Sequence, residues 1–172
     1  YAKWQGQIKE KYLFNLLEKK LTRLTNDYYD DRDVNFSPDG KKLVFSSDRT
    51  SYGIKNRYNL FIYNLENNDI KYLTNGDQID YSPQYSEDGT KIIYTSTKDG
   101  AQNIWFIDLN EFANIQSDSL SLQKNPTAKR LTNYTTAAFD PRWAGNDKIT
   151  FATYEKGMIG IRLIQNVKEL ID

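Results

Sequence analysis

The sequence predicts an all-β fold: a β-propeller of four-stranded antiparallel blades, with about three blades present as a segment of a larger propeller. Three observations predict it. A Leu-Thr-Asn triplet recurs down the chain, a Ser-x-Asp-Gly turn recurs with it, and the composition suits strands joined by compact turns. The 172 residues include 13 Tyr, 8 Phe and 3 Trp but only 4 Pro and 9 Gly. Aromatic residues at that density favour strands and are uncommon in disordered segments.

The triplet stands at Leu24–Asn26, Leu73–Asn75 and Leu131–Asn133, 49 and then 58 residues apart. Ten residues after each Leu begins a strand: Val34-Asn-Phe36, Pro83-Gln-Tyr85 and Pro141-Arg-Trp143. A turn follows, Ser37-Pro-Asp-Gly40 in the first copy and Ser86-Glu-Asp-Gly89 in the second. Next come Lys42–Ser47, Lys91–Ser96 and Lys148–Thr153, and then Asn59–Leu65 matches Asn103–Leu109. The first copy carries 5 extra residues before Asn59 and the second carries 14 extra before Leu131; without them both spacings reduce to 44 residues. The surplus is confined to loops. Four short strands in a repeating unit of ~40–50 residues are the mark of a propeller blade, which buries its two faces against its neighbours.

Taken in order, residues 10–25 are the end of a preceding blade. Leu13, Leu16, Leu17, Leu21 and Leu24 have helix-like spacing, but Leu16 precedes Leu24 by the same 8 residues as Leu65 precedes Leu73, and Phe14 falls on Tyr63. The repeat therefore outweighs the local period, and the stretch reads as strands three and four. Residues 33–74 form a blade, with Asp39-Gly40 as a hairpin signal. Residues 82–132 form a second, with an inserted loop at 110–129. Residues 140–166 form an incomplete blade, in which Ala144-Gly-Asn-Asp147 replaces the turn, and 165–172 reads as a short helix rather than a fourth strand.

The run Phe36-Ser-Pro-Asp-Gly-Lys-Lys-Leu-Val-Phe-Ser-Ser-Asp-Arg49, followed by Asn59-Leu-Phe-Ile-Tyr63, resembles the TolB-type propeller repeat. Tyr85-Ser-Glu-Asp-Gly-Thr-Lys-Ile-Ile-Tyr-Thr-Ser96 is similar, and the resemblance covers roughly residues 12–164. The third copy departs from it by losing the turn and the Asn before its third strand. The resemblance implies a fold more sharply than a role. Such repeats occur in periplasmic Tol-system proteins, in the propellers of prolyl-oligopeptidase-like and tricorn-like peptidases, and in other envelope proteins. A periplasmic or extracytoplasmic setting in a bacterial envelope is the expectation it carries.

Composition narrows the chemistry. With no Cys and no His, the chain holds no disulfide, thiolate, zinc site of the usual ligands or Ser-His-Asp triad. Ser46, Ser47 and Ser96 lack a histidine base, no Asp or Glu pair stands out for a glycosidase, and no cofactor is expected. The 23 basic and 23 acidic residues cancel, leaving no basic field for nucleic acid, and no apolar run reaches the ~20 residues of a membrane span. Asp27, Asp30, Asp31 and Asp33 read as a solvated loop, and Asn35-Phe-Ser37 and Asn133-Tyr-Thr135 as chance glycosylation patterns.

What remains is recognition. Tyr28, Tyr29, Tyr52, Arg57, Tyr58, Asp80, Tyr81, Phe139 and Arg142 fall in or beside inter-strand loops, suited either to anchoring a partner or to packing at the rim between blades. In a propeller, the loops at 26–33, 75–82 and 133–140 share a face with those at 48–58, 97–102 and 154–159. The expected role is a non-catalytic domain that binds a protein or peptide on that face. The alternatives are a gating propeller of a serine peptidase whose catalytic domain lies outside this chain, and a carbohydrate-active propeller. Other domains of the same parent chain are expected partners, since the sequence begins without Met and in the middle of a blade.

Overall fold

The computed structural model describes residues 2–5, 8–49, 57–111, 127–145 and 147–171. Their strands form four antiparallel sheets. Sheet 1 contains β1 (Ala2–Gln5), β2 (Ile8–Asn15) and β3 (Lys20–Arg23). Sheet 2 contains β4 (Asp31–Phe36), β5 (Lys42–Ser47), β6 (Asn59–Asn64) and β7 (Ile70–Tyr72). Sheet 3 contains β8 (Asp80–Tyr85), β9 (Lys91–Ser96), β10 (Asn103–Asp108) and β11 (Ala128–Arg130). Sheet 4 contains β12 (Ala137–Trp143), β13 (Lys148–Glu155) and β14 (Met158–Gln165), and a short helix, α1 (Val167–Ile171), follows.

Strands pair in sequence order within each sheet, so each is a simple meander. The first strands β4, β8 and β12 pack on one another between sheets, giving the sheets a common inner edge. This is propeller architecture. The helix-like leucines of residues 12–24 lie in a hairpin, where Asn15 Oδ1 accepts the N–H groups of Leu17 and Glu18 and Lys19 takes a φ of 51°. Leu16 and Leu17 therefore sit exposed at its tip.

Sheets 2 and 3 are each buried on both faces, which is why β5 and β9 read as continuous buried runs rather than alternating ones. Three apolar clusters fill the seams. Leu43, Phe45, Phe61 and Tyr63 face sheet 1; Val44, Leu60 and Ile62 meet Tyr85, Ile92, Tyr94 and Trp105; Ile93, Ile104 and Phe106 meet Ala138, Ile149 and Phe151. Val167 of α1 closes the last cluster.

The repeated triplet has a physical role at every seam. The N–H of Leu24, Leu73 and Leu131 donates to the carbonyl of Lys11, Leu60 and Ile104, at 2.9, 2.9 and 2.8 Å. The hydroxyl of the following Thr25, Thr74 and Thr132 accepts the N–H of those same three residues, at 3.0, 2.8 and 2.9 Å. Each Leu-Thr pair thus satisfies both polar groups of one buried residue in the third strand, while the Leu packs against the seam cluster.

The seam of sheets 1 and 2 carries buried ion pairs. Between sheets 1 and 2, Asp31 meets Lys11 Nζ at 3.2 Å and takes Arg49 Nη2 on both oxygens at 2.9 Å, and Arg49 also meets Asp27 at 3.1 Å. The Lys11 ammonium lies over the Phe45 ring, 2.8 Å from its centre. Burial lowers the Lys11 pKa to about 7 against the opposing pull of Asp31. The acidic cluster read from sequence as a solvated loop is thus corrected for Asp31, which is buried because cations from two other elements converge on it.

The hydrogen bonds and ion pairs of these seams can be tested by substitution and by pH. Thr74→Val and Thr132→Val each strand a buried amide and lower unfolding free energy by about 1–3 kcal/mol in urea titrations. Asp31→Ala costs about 3–5 kcal/mol by leaving buried cations unpaired, whereas Lys11→Met is close to neutral. Because the folded Lys11 pKa lies below its unfolded value of 10.5, the native chain gains stability as pH rises from 7 to 9. The thermal midpoint therefore climbs over that window and stays flat in Lys11→Met.

Candidate functional site

The loops expected to share a face are tied to one another across the seams. Tyr58 and Ile79 form a parallel bridge between sheets 2 and 3, and Gln102 and Ala137 form the matching bridge between sheets 3 and 4. Asp30 N–H donates to Asp48 Oδ1 at 2.7 Å, Ile79 N–H to Thr97 Oγ1 at 2.9 Å, and Tyr72 OH to the Arg49 carbonyl at 2.8 Å. Residues 50–56, Tyr52 among them, lie outside the described residues.

At the inner edge, each first strand carries a bulge. Asp33, Ser82 and Asp140 take left-handed φ values of 54°, 51° and 52°, and the pairing register slips at each. Asn and Asp are among the non-glycine residues that take this conformation most readily, and Ser82 takes it here in the same bulge. The bulges bring the three side chains together: Ser82 N–H donates to Asp33 Oδ2 at 3.1 Å and Ser82 Oγ to Asp140 Oδ1 at 2.6 Å. Beside them, Arg32, Asp33, Tyr58, Ile79 and Tyr81 line a cavity of about 370 Å³. Burial, together with the Asp140 and Asp33 carboxylates, holds the Tyr81 phenol well above its usual range.

Tyr58 is buried under the Arg32 guanidinium, whose carbon lies 3.7 Å from the ring centre. Its OH donates to Asp30 Oδ2 at 2.8 Å and also meets Arg32 Nη2, which pairs with Asp30 Oδ2 at 2.7 Å. Burial and the Asp30 hydrogen bond raise its pKa to about 12.

The residues expected to bind a partner thus separate. Tyr28 is 90% exposed, and Tyr29 lies beside it with its ring centre 5.1 Å from the Arg49 guanidinium. Tyr81 reaches the cavity, Arg57 is half-buried, and Arg142 is exposed. Phe139 is half-buried on the outer face of sheet 4. Asp80 is wholly buried, where Thr74 Oγ1 and Gln78 Nε2 donate to its Oδ2 at 2.6 and 3.0 Å. Burial raises its pKa against those hydrogen bonds. Sequence reasoning did not single out Arg32, Asp33, Ser82 or Asp140 as site residues. The last three repeat at the triplet's own spacings of 49 and 58, a signal available to it.

The arrangement presents aromatic and charged side chains, and the serines beside it are engaged in local hydrogen bonds. Ser46 Oγ donates to the Asp80 carbonyl at 2.6 Å, and Ser47 and Ser96 accept local backbone N–H groups. Asn35 Oδ1 accepts the Tyr85 N–H across the seam at 3.0 Å, so its amide is engaged in packing. Among the described residues, no three acidic side chains converge as metal ligands. The Ser-x-Asp-Gly motifs are turn chemistry. Ser37 and Ser86 donate to Asp39 and Asp88 at 2.6 Å and accept the N–H of Lys42 and Lys91 at 2.9 Å, with Gly40 and Gly89 at φ 70° and 71°.

No family model matches the sequence, and a search of curated proteins finds no match. Solved structures do share its fold. TolB from Acinetobacter baumannii superposes with a TM-score of 0.71 at 21% identity, over 97% of this chain and 37% of that one. A protein described as TolB from Agrobacterium tumefaciens gives 0.69 at 18% identity, over 92% and 53%. A puromycin-hydrolyzing peptidase from Mycobacterium tuberculosis gives 0.59 at 15%, over 96% and 27%. The chain therefore spans about a third to a half of the TolB proteins it resembles.

The turn serines make an acid-stability prediction. The Ser86 hydrogen bond comes first among the causes that lower the Asp88 pKa to about 2, so this contribution is complete above about pH 4 and is lost as pH falls through 2. Ser86→Ala removes most of that dependence, read as a shallower fall of the thermal midpoint between pH 4 and 2.

Proposed function

From a TolB-like β-propeller fold, we propose that this chain is a non-catalytic recognition segment that binds a protein or peptide on its loop face, in an extracytoplasmic setting. The observation that carries this reading is the cavity at the inner edge. Arg32, Tyr58 and Tyr81 bring aromatic and guanidinium groups to its walls, and the exposed Tyr28 and partly exposed Tyr29 stand in the loop that leads into β4. Aromatic residues and Arg dominate binding hot spots because they contribute large contact area at low entropic cost. The TolB resemblance supports the setting.

The segment's other partners are further sheets. Ile161 and Leu163 of β14 occupy the repeat positions of Leu60 and Ile62 in β6 and of Ile104 and Phe106 in β10. At the internal seams those positions are 0–9% exposed, while Ile161 is 78% and Leu163 49% exposed. On sheet 1, Phe14 holds the position of the buried Tyr63 and Ile107 and is likewise exposed. Both outer faces have the chemistry of a seam, and the proposal assigns them to neighbouring blades.

A second reading, a gating propeller of a serine peptidase, draws on the likeness to the puromycin-hydrolyzing peptidase. The full-length gene separates the two: a Gly-x-Ser-x-Gly hydrolase segment favours the peptidase. On the first reading, a triple variant Tyr28→Ala, Tyr81→Ala and Arg142→Ala loses at least tenfold in affinity for a captured partner while its circular dichroism stays native. Unchanged affinity places the interface elsewhere.

A further inference from the structure

The end of the molecule opposite the loops carries a second cavity, independent of the reading above. It lies across the seam of sheets 2 and 3 and has a volume of about 530 Å³. Its apolar lining comes from Pro38, Ile62 and Leu109, and the two Ser-x-Asp-Gly turns stand at its mouth. Those turns touch: a Cβ on Gly89 would lie 3.4 Å from Pro38 Cδ, so the seam holds Asp39 and Asp88 near one another.

Two features of this cavity are not used by the fold. Tyr85 lines it and is only 8% exposed, yet its hydroxyl has no hydrogen-bond partner. A buried phenol left unsatisfied is costly, and the nearby Asp39 charge adds to burial in keeping it protonated. The second feature is the free side of each turn carboxylate. Asp39 spends Oδ1 on Ser37 and the Lys41 N–H, and Asp88 spends Oδ1 on Ser86 and Thr90. Among the described residues neither Oδ2 takes a hydrogen bond or ion pair. The serine hydrogen bonds also hold both carboxyls below their ordinary range. Asp69 at the same mouth is paired with Lys71 at 3.7 Å, while Lys41, Lys42 and Lys91 lie near the two turn carboxylates without forming an ion pair with either.

We propose that this seam cavity binds a primary ammonium carried on an unbranched apolar stem, the chemistry of a lysine side chain presented by a peptide. The stem lies on Pro38, Ile62 and Leu109. The ammonium donates to Asp39 Oδ2, Asp88 Oδ2 and the Tyr85 hydroxyl oxygen, matching its three N–H groups to three acceptors.

The test is a ¹H–¹⁵N NMR titration of the intact 172-residue chain with n-pentylammonium, with 1-pentanol as the uncharged probe of the same length. The expected result is saturable shifts at Gly40, Tyr85 and Gly89 with a Kd of about 1–10 mM for the ammonium, the range open to so small a ligand. Pentanol binds at least tenfold more weakly. Tyr85→Phe, which removes only the orphaned oxygen, weakens the ammonium at least threefold without lowering the thermal midpoint. Asp88→Asn keeps the turn acceptor, removes the charge, and weakens it about tenfold. Pentanol binding as tightly as the ammonium, the absence of saturable shifts, or unchanged affinity in Tyr85→Phe would each overturn the assignment.

Discussion

The structure depends on one arrangement repeated three times, the grip of a Leu-Thr pair on a single buried residue of the third strand. A sheet sandwiched between two others has no solvent to satisfy its amides, so every polar group at its edges must find a protein partner. The threonine hydroxyl takes the one N–H, and the leucine N–H takes the one carbonyl, that the short fourth strand leaves unpaired. The leucine side chain then enters the seam. Strand, turn and seam are thereby fixed by two adjacent residues, which recur unchanged in all three copies.

Next to the grip lies a slot that each seam fills differently. Asp31, Asp80 and Ala138 stand at the same repeat position, seven residues after the leucine. Asp31 is paired with Lys11 and Arg49, Asp80 accepts hydrogen bonds from the hydroxyl of Thr74 and the amide of Gln78, and Ala138 has no charge to accommodate. The backbone is common to all three, while the electrostatics are solved locally. The buried ion pairs of Asp31 add little net stability but punish the loss of the carboxylate that holds both cations, so that slot changes together with its cations.

Much of the fold was legible in the sequence, because its signals are local and repeated. The Asp39-Gly40 and Asp88-Gly89 turns declare themselves through residue type, and the triplet marks each seam even though the hydrogen bonds it makes are long-range. The leucines of residues 13–24 mislead a helical reading because Leu16 and Leu17 belong to a turn, and only the repeat corrects it. The site was less legible. Tyr58 adjoins β6, which is buried on both faces, so no alternation there separates an exposed side chain from an internal one, and Asp80 is only the first residue of its strand. Arg32 and Arg49 take their roles from partners in other elements, such as Tyr58 and Asp31, that no local pattern reveals.

The bare outer face of sheet 4 has a practical consequence. Ile159, Ile161 and Leu163 form a flat aliphatic stripe along β14, whose outer backbone edge is unpaired within its sheet. A stripe beside an open strand edge is a template for adding strands from other molecules. Such a stripe lowers the solubility of an isolated chain, and its three side chains, 49–78% exposed, are the ones on this edge strand that contribute to it. A lysine at the most exposed of them, position 161, is the first change to make for anyone handling the protein in solution.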